Sequence, residues 1–233
     1  MRLVCLPHAG GSAVLYRTWK AALLGLATVD SPELPGRGSR HGAPLPASLP
    51  ALAEDIAAPL AHRPVPVVLY GHSMGALLAF ETARALARHG VTVAGLVLSG
   101  RAAPHLPIPR LDRHLMSDAA LIEELKRIGG TPDALFRRPE ILAMTLPALK
   151  ADFRMVDTYA FTPGPALACP AVILGGADDP ATPEPSLHAW RELIAGPVAV
   201  DIWPGGHFFV REDEERLLTL LKRTLPVWRA ARA

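Results

Sequence analysis

Cysteine is scarce in this chain, which has Cys5 and Cys169 as its two cysteines among 233 residues. Two cysteines do not make a disulfide framework. Neither lies in a Cys-X-X-Cys segment, and the chain has no His-Glu-X-X-His segment, so the spacing typical of a metal site is missing. Both lie in or beside apolar runs, where cysteine packs as a small buried hydrophobe. We therefore expect a protein of a reducing compartment, the cytoplasm, without a bound metal.

Runs of like charge and long apolar stretches are also missing. The sequence carries 24 Lys and Arg against 22 Asp and Glu, with a net charge of +2. Its basic residues form no long run, which disfavours binding to nucleic acid or to a membrane surface. No apolar run approaches the roughly 20 residues of a membrane span. The run at 3–6 ends at Pro7 and is too short for a signal peptide. We therefore expect neither nucleic acid nor a membrane as a partner.

Half of the residues are hydrophobic, enough for a substantial core at this length. Apolar runs alternate with segments of helical periodicity, which predicts an α/β fold whose mostly parallel sheet has helices on both faces. The predicted strands are 3–6, 65–70, 94–99, 171–174 and 198–203. The predicted helices are 15–26, 49–61, 77–88, 184–195 and 212–225. The predicted irregular parts of the single domain 1–233 are a long loop at 30–50 and a helical insertion at about 101–160, with segments at 119–128, 139–149 and 150–159.

The segment 65–90 contains the most informative motif. An apolar, β-branched run ends at Gly71-His72-Ser73-Met74-Gly75, and Ala- and Leu-rich sequence of helical periodicity follows. A Gly-X-Ser-X-Gly pentapeptide between strand and helix is typical of a nucleophile elbow, whose sharp turn exposes the serine Oγ while the glycines let neighbouring backbone pass closely. We predict that Ser73 is a nucleophile and that the Met74 N–H, at the helix start, stabilises an oxyanion.

An activated serine needs a base and a group that orients the base. Two later predicted strands end in such residues, one at Asp178-Asp179 and the other at His207. Because ligands bind at the carboxyl ends of parallel strands, these side chains are expected to meet Ser73 there. The chain order Ser-Asp-His is that of α/β-hydrolases. We predict His207 as the base and Asp179 as its orienting group, with Asp178 as a turn or capping residue.

The other eight histidines are weaker candidates for the base. His72 adjoins the nucleophile and is expected to shape the turn, while His8 lies in the glycine loop after the first strand and breaks the chain order. In that loop, an N–H near Ala9 or Gly10 is predicted as the second oxyanion donor. The remaining six are expected at the surface, in loops or helices: His41, His62, His89, His105, His114 and His188.

Several segments together resemble the type II thioesterases, stand-alone α/β-hydrolases that accompany polyketide synthases and nonribosomal peptide synthetases. These segments are 3–13, 35–37, 71–76, 99–101, 103–105, 125–132, 146–153 and 204–209, so the similarity covers nearly the whole chain. The resemblance implies hydrolysis of acyl groups held as thioesters on the phosphopantetheine arms of acyl or peptidyl carrier proteins, which removes aberrant or stalled chains. It implies no cofactor of the enzyme's own, since the substrate carries the phosphopantetheine.

The resemblance also assigns roles to residues. The family's triad falls on Ser73, Asp179 and His207, its oxyanion donors fall on the Met74 and Ala9 amides, and the insertion corresponds to a lid over the acyl chamber. Because carrier proteins are generally acidic, arginines are expected to form a docking rim around the pantetheine entrance, although ordinary solvated surface arginines are the alternative. The candidates for this rim are Arg37 and Arg101, together with Arg40, Arg110 and Arg113.

The sequence departs from the family pattern at two places. Family members usually carry a short segment before the first strand, whereas here Met1 and Arg2 lead directly into it, so either an edge element is missing or the start lies upstream. Residues 38–41 lack the acidic residue common in the family. Since fold and triad do not choose the leaving group, a carboxylester hydrolase and a product-releasing or cyclising thioesterase stay open as alternatives, as does a catalytically silent binding protein.

Overall fold

A parallel β-sheet forms the centre of the computed structural model, which describes residues 1–62, 65–107, 111–131 and 133–231. The six strands lie in the order β2-β1-β3-β4-β5-β6, and each neighbouring pair is parallel. They are β1 (Arg2–Leu6), β2 (Thr28–Asp30), β3 (Val67–His72), β4 (Gly95–Ser99), β5 (Ala171–Gly176) and β6 (Val198–Trp203). The predicted parallel sheet is confirmed.

Helices connect these strands. The α-helices are α1 (Trp19–Ala22), α2 (Leu49–Ala61), α3 (Met74–Arg88), α4 (Asp118–Ile128), α5 (Asp133–Phe136), α6 (Pro139–Asp157), α7 (Glu184–His188), α8 (Phe209–Glu212) and α9 (Glu214–Ala230). Short 3-10 helices lie at Ala13–Tyr16, Gly38–Arg40, Arg113–Leu115 and Ala189–Glu192. Ser48 caps α2, because its Oγ accepts the Ala51 N–H at 3.3 Å.

The inner strands are buried on both faces. In β1, Val4 and Leu6 lie in one hydrophobic core with residues of α2 and α3, while Leu3 and Cys5 lie in a second core with residues of α1 and α9. This two-sided burial explains why these strands are continuous apolar runs without alternation. The edge strand β6 instead alternates between exposed and partly buried residues before it ends at the buried Trp203.

Several predicted boundaries are wrong. The predicted helix 15–26 is a 3-10 turn followed by the four-residue α1, and β2 was missed because a three-residue strand is too short to show a period. The predicted helix 184–195 is α7 plus a 3-10 turn, and the predicted helix 212–225 is α8 followed by a longer α9.

Helices α4 to α6 lie between β4 and β5. The described part of this segment adds no strand to the sheet. The two amphipathic pieces predicted at 139–149 and 150–159 are one continuous helix, α6. This segment has its own small core, built from α4 and α6, whose buried members are Leu121, Leu125, Leu142, Leu146, Leu149 and Phe153.

Candidate active site

Ser73 lies at a sharp turn between β3 and α3. Its φ of 56° and ψ of −114° are unusual for a residue with a side chain. A Cβ placed on Gly71 would lie 1.9 Å from the Gly75 carbonyl oxygen, and one placed on Gly75 would lie 2.0 Å from the Leu6 carbonyl oxygen. Both glycines are therefore sterically required, and the elbow packs directly against the end of β1.

The structure brings the three predicted triad side chains together. His207 Nε2 lies 2.9 Å from Ser73 Oγ, and His207 Nδ1 lies 2.7 Å from Asp179 Oδ2. Asp179 is buried, whereas its neighbour Asp178 is exposed. The geometry therefore selects Asp179 as the partner of His207, and the three groups form a continuous hydrogen-bonded relay.

The Asp179 carboxylate is held in its ionised form. Burial alone would raise its pKa, but hydrogen bonds from His207, from the Ala181 N–H at 3.0 Å and from Thr182 Oγ1 at 2.8 Å bring the pKa below its usual range. An ionised acceptor on Nδ1 fixes the imidazole tautomer whose Nε2 lone pair faces Ser73.

Two further histidines lie beside this relay. His72 is buried and its Nδ1 lies 3.0 Å from Ser99 Oγ, which also lies 3.2 Å from the Gly71 carbonyl oxygen. This contact joins the ends of β3 and β4 and agrees with a role in shaping the turn. Burial lowers the pKa of His72 well below its ordinary value and that of His8 to about 4. Both rings are therefore neutral near pH 7.

The other histidines are not all at the surface. His41, His62 and His89 are exposed, as predicted, and His188 is 38% exposed. The prediction is wrong for two histidines of the insertion. The His105 side chain is 18% exposed and lies 3.2 Å from Glu192, and that of His114 is 11% exposed and lies 2.9 Å from Asp157.

The two predicted oxyanion donors lie at the start of α3 and in the loop after β1. Met74 is the first residue of α3, so its N–H has no acceptor within the helix. Ala9 lies in the loop after β1, against which the elbow packs, and its N–H donates no backbone hydrogen bond to another described residue. Both residues line the same cavity as Ser73 and His207. The assignment of these two amides as oxyanion donors, one of them at the positive end of a helix, stays a prediction.

A cavity of about 760 Å³ opens onto the relay. The segment between β4 and β5 supplies much of its apolar lining, including Leu106, Leu125, Phe153, Val156 and Phe161. Its volume lies in the range typical of small-molecule sites, and an apolar wall suits an acyl chain. The arrangement can therefore hold an extended apolar group with its reactive carbonyl at Ser73.

The candidate rim arginines have different environments. Arg37 is not on an exposed rim: its side chain is 11% exposed and is ion-paired with Asp152 at 2.7 Å. Arg101 lines the cavity, its Nε is buried with no described hydrogen-bond partner, and burial lowers its pKa to about 10. Arg40 is exposed, and the partly buried Arg113 pairs with a glutamate at 2.8 Å. Arg110 lies outside the described residues.

Asp152 is the residue that sequence reasoning missed. It lies within one of the segments that carry the family resemblance, but a carboxylate in an amphipathic helix normally predicts a solvated face. Its side chain is instead buried and accepts a hydrogen bond from the Gly10 N–H at 2.8 Å. The available signal was its position among apolar residues in Ala151-Asp152-Phe153.

A Ser-His-Asp relay at a strand-turn-helix elbow of a parallel sheet defines a serine hydrolase of the α/β-hydrolase fold. The thioesterase domain model matches residues 1–225. The chain is 40% identical over 237 residues to the probable cadicidin biosynthesis thioesterase of Streptomyces griseus, and the match spans 100% of this chain and 64% of that protein. The chain belongs to the thioesterase family, a family of thioester hydrolases, and within it to the type II thioesterases.

Solved structures agree with this assignment. The type II thioesterase BorB from the borrelidin biosynthetic cluster is 37% identical, with a TM-score of 0.86 over 97% of this chain and 91% of that one. ClbQ from the colibactin NRPS/PKS pathway is 29% identical, with a TM-score of 0.91 over 99% of this chain and 98% of that one. Among the described residues, no helix is long and apolar enough to span a bilayer, and no cluster of three or more metal-ligating side chains occurs.

Proposed function

We propose that this protein hydrolyses acyl thioesters carried on the phosphopantetheine arms of carrier proteins, and that it removes aberrant or stalled acyl groups from a polyketide or nonribosomal peptide assembly line. The observation that carries the proposal is the hydrogen-bonded relay of Ser73, His207 and Asp179 at the mouth of a large, partly apolar cavity. Membership of the type II thioesterases, with relatives named for biosynthetic clusters, supports the substrate class.

The first half of the reaction is acyl transfer to Ser73. His207 Nε2 takes the Oγ proton while Oγ attacks the thioester carbonyl carbon, and the resulting oxyanion accepts hydrogen bonds from the Met74 and Ala9 amides. When the tetrahedral intermediate collapses, the C–S bond breaks. The departing pantetheine thiolate takes the proton from His207, so the acyl-enzyme forms with a neutral imidazole.

The second half is hydrolysis of the acyl-enzyme. His207 removes a proton from a water molecule that attacks the ester carbonyl, and it returns that proton to Ser73 Oγ as the acid leaves. Asp179 stays ionised throughout and stabilises the imidazolium that forms in each half. The cycle needs no metal or redox cofactor, because every proton moves between groups of the relay, the thiol and water.

Arg101 is a candidate contact for the substrate itself. Arg101 lines the cavity and its Nε is buried without a described partner, and a buried cation favours an oxygen acceptor such as an amide carbonyl of the pantetheine arm. Arg40 and Arg113 stay candidates for docking an acidic carrier, although the pairing of Arg113 reduces its free charge. Two cysteines that lie in apolar runs, without a disulfide framework, support a cytoplasmic location, where thiols are kept reduced.

The test compares leaving groups and a nucleophile variant. Wild-type protein and Ser73→Ala are assayed with acyl-pantetheine thioesters, acylated carrier protein, matching oxygen esters and a full-length chain intermediate. We expect the wild type to favour short acyl thioesters and Ser73→Ala to be inactive but folded by circular dichroism.

Each rival function has its own outcome in this experiment. Preference for oxygen esters would indicate a carboxylester hydrolase, and cyclisation or release of the full-length chain would indicate a product-releasing enzyme. Failure of a fluorophosphonate to label Ser73 in the wild type would indicate a catalytically silent binding protein.

A further inference from the structure

The loop after β1 is held by contacts to a distant helix. The Gly10 N–H donates to Asp152 Oδ2 at 2.8 Å, and Asp152 lies on α6, 142 residues along the chain. Arg37 grips the same carboxylate with two donors, Nη1 at 2.8 Å and Nη2 at 2.7 Å, and its Nη1 also reaches the Gly11 carbonyl oxygen at 2.8 Å. The Asp152 side chain is 1% exposed, so these contacts are shielded from water.

The peptide group between Ala9 and Gly10 is fixed at both of its polar ends. Its N–H is bound by Asp152, and its carbonyl oxygen lies 2.9 Å from His8 Nδ1. Because a carbonyl oxygen can only accept, the neutral His8 ring carries its proton on Nδ1. The Gly11 N–H closes the turn by donating to the His8 carbonyl at 2.9 Å. The peptide that adjoins the proposed oxyanion donor therefore has little freedom to rotate.

Packing reinforces these hydrogen bonds. Gly10 has a φ of +76°, and a Cβ at this position would lie 2.9 Å from Leu149 Cδ1 of α6. Leu149 and Asp152 are three residues apart and share one face of α6. The same face of one helix thus contacts the loop through both an apolar and a charged side chain.

We propose that Arg37 and Asp152 act as positioning residues for the reaction: they hold the 9–10 peptide so that the Ala9 N–H points at the oxyanion, and they tie this half of the oxyanion hole to α6. The proposal rests on the proposed role of the Ala9 amide. Both side chains act through backbone geometry rather than by touching the substrate. It gives Arg37 an internal role in place of the predicted place on a docking rim.

The principal variants are Asp152→Asn and Arg37→Lys. Asparagine keeps the size of Asp152 but loses its charge, and lysine keeps the charge of Arg37 but has no planar fork to pair with both carboxylate oxygens at once. Loss of an oxyanion donor costs about 10²- to 10³-fold in kcat. Since these variants would displace a donor rather than remove it, we expect kcat for an acyl thioester to fall about 10- to 100-fold, with KM within about twofold of wild type.

A pair of inhibitors separates positioning from general loss of structure. In a trifluoromethyl ketone analogue of the thioester, Ser73 Oγ adds to the ketone carbonyl, and the resulting oxyanion needs the oxyanion hole. The thioether analogue fills the cavity without forming an oxyanion. We expect both variants to bind the ketone more weakly in proportion to their loss of kcat/KM and to bind the thioether as the wild type does. The double variant Arg37→Lys with Asp152→Asn should lose little more kcat than Asp152→Asn alone, because both substitutions disrupt the same ion pair.

Glu124→Gln is the matched control. Glu124 also belongs to the segment between β4 and β5, its side chain is 12% exposed, and it pairs with Arg113 at 2.8 Å and Arg127 at 2.7 Å, neither of which belongs to the loop after β1. Glu124→Gln should lower thermal stability but leave kcat unchanged.

Two outcomes would overturn the proposal: Arg37 or Asp152 variants that fold and keep wild-type kcat, or variants that bind the ketone and the thioether equally more weakly than the wild type does. Should Asp152→Asn fail to fold, Arg37→Lys decides by the same measurements. Wild-type thioesterase activity tests the proposed function separately.

Discussion

His207 Nδ1 lies 2.7 Å from the buried carboxylate of Asp179, while the adjacent Asp178 faces solvent. This relationship settles which of two neighbouring aspartates contacts the imidazole. It also means that the two residues can be compared directly, since the same substitution should impair catalysis at Asp179 and leave it nearly unchanged at Asp178.

Asp179→Asn should lower kcat for an acyl thioester by about 10³-fold or more. An asparagine amide that donates to Nδ1 favours the tautomer with its proton on Nε2, which cannot accept the Ser73 proton. KM should change little, because Asp179 acts on the reaction rather than on binding. Asp178→Asn is the control and should stay within about threefold of wild type in steady-state kinetics. The opposite ranking would show that the assignment is wrong.

The backbone at Ser73 should store strain that a glycine relieves. With φ of 56° and ψ of −114°, any residue with a Cβ is strained by about 1–3 kcal/mol. Relative to alanine, glycine lowers the free energy of unfolding by about 0.4–1 kcal/mol, because it gives the unfolded chain more freedom. Ser73→Gly should therefore be more stable than Ser73→Ala by about 1 kcal/mol in urea unfolding.

A control for this comparison is the exposed Ser39, which lies in a 3-10 turn and lacks a positive φ. At position 39 the glycine variant should not be the more stable one, so we expect Ser39→Ala to be at least as stable as Ser39→Gly. If the two Ser73 variants ranked as the two Ser39 variants do, the elbow would not be strained.

Stability should fall as the pH is lowered from 7 to 5, in part because of His8. Burial lowers the pKa of His8 from 6.5 to about 4, opposed by its bond to the Ala9 carbonyl and aided by the nearby charges of Arg211, His207 and Arg37. Between these pKa values the unfolded chain binds a proton that the folded protein does not, so acid favours unfolding. The lowered pKa of His8 alone should reduce the free energy of unfolding by about 2 kcal/mol at pH 5.

The measurement is urea unfolding of wild type and His8→Asn at both pH values. Asparagine keeps a donor near the Ala9 carbonyl but does not titrate. The fall in stability should therefore be smaller by about 2 kcal/mol in the variant. His72 contributes in the same direction, and because burial is the main cause of its lowered pKa and His8 a smaller one, most of its contribution is common to both proteins. An equal fall in both proteins would contradict the assignment of a depressed pKa to His8.

Most of the sheet and the relay could be predicted from the sequence because their signals are local. Buried parallel strands are apolar runs, and the elbow is a pentapeptide between a strand and a helix. The short β2 was missed because three residues show no period, and α6 was divided in two although it continues through Lys150. The local sequence pattern therefore predicts whether a segment is a helix or a strand better than it predicts where that element begins and ends.

The side-chain predictions that were wrong concern residues whose partners lie far away in the sequence. Arg37 and Asp152 are 115 residues apart, and each alone is a charged residue expected in water. His105 and His114 are likewise partly buried beside acidic partners distant in sequence, Glu192 outside the insertion and Asp157 within it. A single sequence gives no sign that two such residues will meet, because burial of a charge depends on a partner that only the fold supplies.

Helix α6 performs two tasks with one face. Leu149 and Asp152 contact the loop after β1, and Phe153 and Val156, at the next helical spacings, line the cavity. A mutation on this helix that reshapes the cavity for a new acyl group will therefore also disturb turnover, so selection acts on both traits together. Evolution toward new substrates has a freer route through wall residues on other segments, such as Leu106.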